Sequence, residues 1–356
     1  MKNFKAFLNA GTVLPFIIGC IGIAPHLWFS LKVDRWAYLI NSYDEGYYGF
    51  PALLDPKINA ERIVSNTILQ LLNIIFQSCS KTFLFCDFIF PAIICAVSYQ
   101  IFFLLLKNTE SAALATICFI FSPELFCNRS VFLADKINIG KYIGNIIQGI
   151  PGFPDQLLIN NNQTGTFWIF RTPEPQISQV ILFAALLFSI KKWLSQNNLE
   201  NHFILFPMLL FFVLPFCYSF VVLPFLPFII AGYAIFFPTT FYKKPELWVL
   251  AFGGFLRILA TVLTPNAAAG FTFHCRTPAL TISCILSVIA LAICSMHSSS
   301  DKKLKVLGIV GCLIPLIITN QQIISGKMIM LNNFENFALP QIVLISFVLI
   351  FKSKKV

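Results

Sequence analysis

Long apolar segments separated by short polar connectors run through the whole chain of 356 residues. A membrane-spanning helix needs roughly 20 apolar residues, with about 17–25 as the usual range. Ten segments approach or meet that length, at residues 8–31, 83–106, 111–126, 177–195, 203–221, 222–241, 247–264, 278–297, 304–320 and 336–351. The pattern therefore predicts an all-α, polytopic integral membrane protein with about 10 transmembrane helices. We expect residues 1–356 to form a single transmembrane domain.

The charged connectors indicate which way the helices cross. With ten crossings, the connector lysines and those at both ends of the chain fall on one side. Lys and Arg accumulate on the cytoplasmic side of membrane helices, so both termini are predicted to be cytoplasmic, in a plasma (bacterial inner) membrane. These lysines are Lys2, Lys5, Lys107, Lys191, Lys192, Lys243, Lys244, Lys302, Lys303, Lys305, Lys352, Lys354 and Lys355.

One uncharged run, from Phe203 to Phe241, is long enough for two spans. Both of its flanks must lie on the cytoplasmic side, so the run has to cross twice. A tight turn near Pro224 is the predicted division, because proline removes a backbone donor from a helix.

Two predicted outer loops are long, at residues 32–82 and 127–176. Within the first, polar residues recur at helical spacing from Arg62 to Cys79, with apolar residues on the opposite face. This pattern predicts an amphipathic helix lying in the membrane interface.

Composition limits the class of partner. Hydrophobic residues make up 57% of the chain and charged residues 11%, far below the soluble average of about 25% charged. The net charge of +10 would favour nucleic acid in a soluble protein. Here the positive-inside rule accounts for it, so we expect membrane lipids as partners and no nucleic acid.

An adjacent pair of carboxylates, Asp44 and Glu45, stands in the stretch "NSYDEGYYGF" of the first outer loop. Such a pair is often an ordinary solvated loop charge. The flanking tyrosines and Phe50 are instead typical of a loop that docks at the membrane interface. Both interpretations remain open from the residues alone.

Other polar residues are predicted to converge on the same outer face, where they would line a cavity roofed by the long loops. Besides the acidic pair and two arginines, Arg171 and Arg276, the candidates are Asp135, Lys136, Glu174, His274, Gln321, Gln322 and Glu335. Arg171 could also serve only as an anchor for lipid phosphate. His274 by itself is more often an ordinary loop histidine than a base.

Arg257 lies in the middle of a predicted span. A charge at that depth costs at least ~2.5 kcal/mol on the translocon insertion scale, so the side chain must face a partner or water. A structural ion pair and a role in the cavity are both compatible with this position.

The predicted architecture resembles the GT-C superfamily of membrane glycosyltransferases. The shared features are a first helix that starts in the cytoplasm, an outer loop with the motif "YDEGYYG", an interfacial helix and then a bundle of many helices. That superfamily includes protein mannosyltransferases, aminoarabinose transferases and oligosaccharyl transferases. The resemblance is strongest over residues 1–110 and is architectural over the rest.

The resemblance implies transfer of a sugar from a polyprenyl phosphate or pyrophosphate donor to an acceptor on the outer face of the membrane. The role of catalytic base or metal ligand falls on Asp44, with Glu45 second, and a divalent cation is a candidate cofactor. In such a reaction arginines stabilise the leaving phosphate, and the candidates are Arg171, Arg257 and Arg276.

Two other functions are compatible with the sequence. A transporter or flippase for a lipid-linked or anionic substrate would use Arg257 at membrane depth. A non-catalytic membrane scaffold subunit would bind other chains through its outer loops. The sequence contains no P-loop, nucleophile-elbow or zincin motif, which argues against an ATPase, a serine hydrolase or a zinc protease of those kinds.

Overall fold

The computed structural model describes residues 11–24, 62–126, 131–132, 174–195, 205–263, 272–274, 279–296, 301–325, 327–329, 334 and 337–351. The helices in these residues are α1 (Gly11–Ala24), α2 (Ile63–Phe76), α3 (Cys79–Leu106), α4 (Thr109–Phe126), α5 (Gln176–Ser195), α6 (Leu205–Val213), α7 (Ser219–Phe236), α8 (Pro245–Leu263), α9 (Ile282–Met296), α10 (Lys302–Ser325) and α11 (Leu339–Phe351). Short 3-10 turns follow α6, at Leu214–Phe216, and precede α8, at Phe241–Lys243.

The predicted helical membrane class is confirmed by these elements. Each predicted apolar segment overlaps a helix of the described residues, although their bounds differ. Within the described residues, four helices, α3, α5, α7 and α10, are long and apolar enough to cross a membrane, and several shorter apolar helices accompany them. The chain is therefore a helical membrane protein, and the count of about 10 crossings stays a prediction.

The predicted turn near Pro224 is wrong. Pro224 and Pro227 lie inside α7, and the chain turns earlier, at Cys217 and Tyr218. Pro215, in the 3-10 turn, explains the break, because it has no N–H to continue the hydrogen bonding of α6. Proline inside α7 is tolerated, because neighbouring groups in a membrane bundle can satisfy the freed backbone carbonyl.

The amphipathic helix predicted in the first loop exists as α2, and its polar side faces the protein. Ser65 and Leu69 are buried, and Asn73 accepts a hydrogen bond from the Thr82 hydroxyl of α3 at 3.4 Å. Ile74 and Ile75, on the opposite side, are 70% exposed. An apolar outer face is stable when lipid covers it, which agrees with a position at the membrane.

A chain of phenylalanine rings forms the centre of the bundle. Phe102 of α3 contacts Phe119 of α4 at a centroid distance of 5.4 Å, and Phe119 contacts Phe183 of α5 at 5.0 Å. Phe183 then contacts Phe225 of α7 at 5.9 Å. All four rings are buried, and edge-to-face contacts of this kind add about 0.5–1.5 kcal/mol each beyond burial.

Glycines allow several helices to approach closely. A Cβ atom at Gly22 of α1 would overlap the backbone oxygen of Asp87 on α3. One at Gly311 of α10 would overlap the Ser346 hydroxyl of α11, and one at Gly232 of α7 would overlap the Trp193 ring of α5. Small residues at helix contacts are typical of membrane bundles, where packing replaces the hydrophobic effect.

The bundle has two chemically different ends. We call the end that carries Ser178, Tyr218 and Phe337 the loop end, because the long predicted loops join the helices there. We call the other end, which carries Lys192 and Lys303, the lysine end. Helices α5 and α7 each run from the loop end to the lysine end, as the charge pattern predicted.

Two short antiparallel ladders, which were not predicted, join connectors of the chain. In one, Val131–Phe132 (β1) pairs with Ala279–Leu280 (β3). In the other, Thr272–His274 (β2) pairs with Lys327–Ile329 (β4). Both ladders link segments predicted to lie on the same outer side, so they bring those connectors together.

Adjacent glycines of α8 provide a test of the helix packing. A Cβ atom at Gly253 would lie 2.6 Å from the backbone oxygen of Phe212, whereas one at Gly254 meets nothing within 4 Å. We expect Gly253→Ala to lower the free energy of unfolding by about 1–3 kcal/mol, because the backbone near Phe212 must move. Denaturant unfolding of the purified protein in detergent measures this loss.

The matched control is Gly254→Ala. It should cost nothing and gain up to about 1 kcal/mol, because alanine is the better helix former. Equal shifts of the two variants in the same direction would contradict the described contact between α6 and α8.

Candidate functional site

A buried carboxylate, Glu174, stands at the loop end just before α5. It is 1% exposed, and its Oε1 accepts a hydrogen bond from the Ser178 hydroxyl at 2.8 Å. The Ser178 oxygen in turn accepts a hydrogen bond from the backbone N–H of Tyr218 at 2.9 Å. Ser178 therefore links the start of α5 to the turn before α7.

An arginine is buried beside the same turn. Arg62, just before α2, is 6% exposed, and its guanidinium carbon lies 5.0 Å from the centre of the Tyr218 ring. A cation over an aromatic face within about 6 Å is attracted by the ring, more strongly where water is excluded. The Arg62 carbonyl accepts hydrogen bonds from the Ser65 hydroxyl and the Asn66 N–H, which fixes Arg62 to the first turn of α2.

Arg257 of α8 contributes a second positive charge. Sequence places it in the middle of a span, and the structure brings it within electrostatic range of Cys217, in the turn at the loop end. Glu174 is in range of the same thiol. Arg257 is half-buried and lies near the middle of α8.

Three buried glutamines, Gln176, Gln179 and Gln341, surround this polar region. Gln179 Nε2 donates to the backbone oxygen of Phe337 at 3.1 Å, which ties α5 to the segment before α11. Among the described residues, neither amide atom of Gln341 has a hydrogen-bond partner, nor does Gln179 Oε1. A buried polar group without a partner costs about 1–3 kcal/mol, so these atoms are available to water or to a polar ligand.

We call Arg62, Glu174, Ser178, Gln179, Tyr218, Arg257 and Gln341 the loop-end cluster. Its arginines can bind a phosphate through charge-assisted hydrogen bonds, and its carboxylate and amides can accept from and donate to hydroxyl groups. Both kinds of interaction are stronger where the bundle excludes water than at an exposed surface.

Two of the site residues predicted from sequence, Glu174 and Arg257, come together in this cluster. Gln321 lies near the end of α10 and accepts a hydrogen bond from the Ser325 hydroxyl at 2.9 Å. Gln322 is in the same helix, and the backbone of His274 pairs opposite Lys327. The remaining candidates, which lie outside the described residues and stay predictions, are Asp44, Glu45, Asp135, Lys136, Arg171, Arg276 and Glu335.

Sequence reasoning missed Arg62, Gln179, Tyr218 and Gln341 as site residues. A signal for the glutamines was present, because both stand within otherwise apolar segments, where an amide is costly unless it has a role. Arg62 was interpreted only as part of a polar helix face. Its place beside Tyr218 depends on a contact between distant parts of the chain, which no local pattern reveals.

Within the described part of the chain, no group of three His, Cys, Asp or Glu side chains is arranged to hold a metal ion. The chain matches no family model, no curated protein and no solved structure.

Removing the Ser178 hydroxyl tests the central hydrogen bonds of the cluster. We expect Ser178→Ala to lower the free energy of unfolding by about 1–3 kcal/mol, because the buried Glu174 carboxylate loses a donor and the Tyr218 amide loses its acceptor. Unfolding in detergent with a chemical denaturant measures the change.

Ser122→Ala is the control for this variant. Ser122 is buried in α4 and donates to the Phe119 oxygen of its own helix at 3.0 Å, so its loss should cost under about 1 kcal/mol. If Ser178→Ala is as mild as this control, Ser178 does not link α5 to the turn before α7.

Proposed function

We propose that this chain is a membrane glycosyltransferase of the GT-C kind, which moves a sugar from a polyprenyl phosphate or pyrophosphate donor to an acceptor at the loop end of the bundle. The observation that supports this function is the loop-end cluster, where Arg62, Arg257 and Glu174 gather beside one turn of a membrane-embedded helix bundle. Placing charged groups in such a bundle is costly, which favours a role in function.

The donor phosphate fits the positive groups of the cluster. When the bond between sugar and phosphate breaks, negative charge develops on the leaving phosphate, and arginines stabilise it with bidentate hydrogen bonds. Arg62 and Arg257 are the described candidates, and Arg171 and Arg276 complete the proposed set. The lipid tail of the donor is compatible with apolar helix faces that lipid covers.

The acceptor needs a base, and the proposed base is Asp44, with Glu45 as the second choice. A hydroxyl is a weak nucleophile until a carboxylate within hydrogen-bond reach accepts its proton. The first long loop enters the described structure at Arg62, inside the loop-end cluster, and the acidic pair precedes Arg62 in the sequence of that loop. A divalent cation bound by the pair stays a candidate cofactor.

The polar geometry favours the transferase over a transporter. Transporters usually bind their substrate near the midplane of the membrane, where both sides can reach it. In the described residues, the buried Arg62 and Glu174 lie at the loop end instead, and Arg257 is within electrostatic range of the same turn. A transfer reaction at one face of the membrane agrees with this arrangement better than transport across the membrane does.

Sugar release tests the function directly. The purified protein in detergent is incubated with a panel of radiolabelled polyprenyl-phosphate sugars, and released sugar is counted. We expect one donor to be used, and we expect Asp44→Asn to lower its rate by about 10²–10⁴, because the acceptor loses its base. Glu110→Gln, which neutralises an exposed carboxylate near Lys107, should keep the full rate.

Full activity of Asp44→Asn would remove the proposed base. A lack of release from every donor, by the wild-type protein as well, would reject the transferase. Binding and flipping of the same lipids would then distinguish the transporter from the scaffold.

The arginines are tested by their effect on the donor. Arg62→Lys keeps the charge and loses the planar group that stacks on Tyr218 and binds phosphate with two hydrogen bonds. We expect it to raise the KM for the donor about tenfold, and Arg257→Gln to do the same. Lys81→Gln removes an exposed cation from the first turn of α3 and should leave KM unchanged.

A KM that rises equally in Lys81→Gln would show that the overall positive charge of this end attracts the donor, and that the buried arginines have no specific part.

A further inference from the structure

Three lysines from different parts of the chain converge on the last turn of α7. Lys192 comes from the end of α5, Lys244 from the connector between α7 and α8, and Lys303 from the start of α10. We call these three the lysine cluster. It lies at the opposite end of the bundle from the loop-end cluster and has no part in the proposed transfer.

Aromatic rings position the ammonium groups of the lysine cluster. Lys244 Nζ lies 3.8 Å from the centre of the Phe237 ring, and Lys303 Nζ lies 5.7 Å from that of Phe236. Lys192 Nζ lies 5.9 Å from the centre of the Tyr233 ring. The three charges are therefore held together around one helix end.

One buried carboxylate pairs directly with a lysine of this cluster. Glu246, buried in the first turn of α8, forms an ion pair with Lys192 at 2.5 Å. Among the residues that the structure describes, Lys244 and Lys303 have no carboxylate within ion-pair distance. The Asp301 carboxylate at the start of α10 accepts hydrogen bonds from the backbone N–H groups of Lys303 and Leu304. Two of the three lysines are therefore outside the ion pair with Glu246.

The environment of the cluster changes the pKa of Lys244. Its pKa is lowered from the ordinary value by burial first and then by the charge of Lys192, and Glu246 opposes the shift. The like charges are close enough to repel one another, and an anion between them would relieve that repulsion.

The exposed side of α8, the helix that begins directly after Lys244, is apolar and aromatic. Trp248, Phe252 and Phe255 on one side of α8 are 64%, 56% and 61% exposed. The indole N–H of Trp248 donates to the backbone oxygen of Tyr242 at 2.7 Å, which holds both residues at this end. Tryptophan and tyrosine concentrate at the boundary between the hydrocarbon core and the headgroups of a membrane.

We propose that the lysine cluster binds the phosphate of an anionic phospholipid whose acyl chains lie along the exposed aromatic side of α8. The headgroup boundary marked by Trp248 and Tyr242 puts a lipid phosphate at the height of the lysines. Lysines near the end of a helix can also act only on its dipole. An interaction with the helix dipole does not require lysines from three separate segments. Binding a phosphate between the lysines does require that the three segments come together.

The test compares lipids on the purified full-length protein in detergent. Dioleoylphosphatidylglycerol, dioleoylphosphatidylcholine or inorganic phosphate is added, and the Tm and the bound lipids seen by native mass spectrometry are measured. We expect phosphatidylglycerol to raise Tm and to remain bound, because a ligand that binds the folded state stabilises it. Phosphatidylcholine and inorganic phosphate should have little effect.

Lys244→Gln combined with Lys303→Gln should weaken phosphatidylglycerol binding about thirtyfold, which corresponds to about one kcal/mol for each lysine. The matched control is Lys107→Gln combined with Lys302→Gln, which removes the same charge from two exposed lysines near the same boundary. This control should bind as the wild type does. The Tm of each variant without lipid shows whether it is folded.

Equal weakening in the two double variants would overturn the proposal, because the charge of the whole surface would then be responsible. An equal Tm rise with phosphatidylcholine would overturn it too. A full shift with inorganic phosphate alone would show that the cluster binds a free anion, in place of a lipid.

Discussion

The absence of water in the core of a membrane is the constraint on which this structure depends. Backbone N–H and C=O groups must pair within the bundle, so the segments at membrane depth are helical. Charged side chains are costly there and gather toward the two ends. Between the ends, the contact surfaces are built from rings and small residues, as in the contacts of Phe119 with Phe183 and of Gly232 with Trp193. Close fit of such surfaces replaces the hydrophobic effect as the force between helices.

The two ends use buried charge in different ways. At the lysine end, Glu246 pairs with Lys192 and leaves Lys244 and Lys303 outside that ion pair, so this surface favours an anion from the membrane boundary. At the loop end, one carboxylate oxygen of Glu174 accepts a hydrogen bond from Ser178, and Arg62 is held against the ring of Tyr218. That arrangement is a preorganised polar site, because the groups are fixed before any ligand arrives.

The loop-end cluster also joins helices that are far apart in the chain. Ser178 bonds to Tyr218, and Gln179 bonds to Phe337, so α5 is fixed to both α7 and the approach to α11. Gln341, in the first turn of α11, stays without a partner among the described residues. A buried amide without a partner lowers the stability of the fold, but it can form hydrogen bonds to a ligand. An amide whose hydrogen bonds are already made within the protein cannot do so.

The sequence by itself determined the helices, because an apolar run is local information. A run of about 20 apolar residues must be helical in lipid. The cytoplasmic side that the connector lysines indicate stays a prediction. The sequence also identified Glu174 and Arg257 as candidates, because a charge next to or within an apolar segment is visible without a fold. The tertiary structure decided the turn at Cys217 and Tyr218, the inward polar face of α2, the place of Arg62 and the pairing of the short strands. Each of these depends on contacts between residues far apart in the chain, and local hydropathy carries no information about which distant partners will meet.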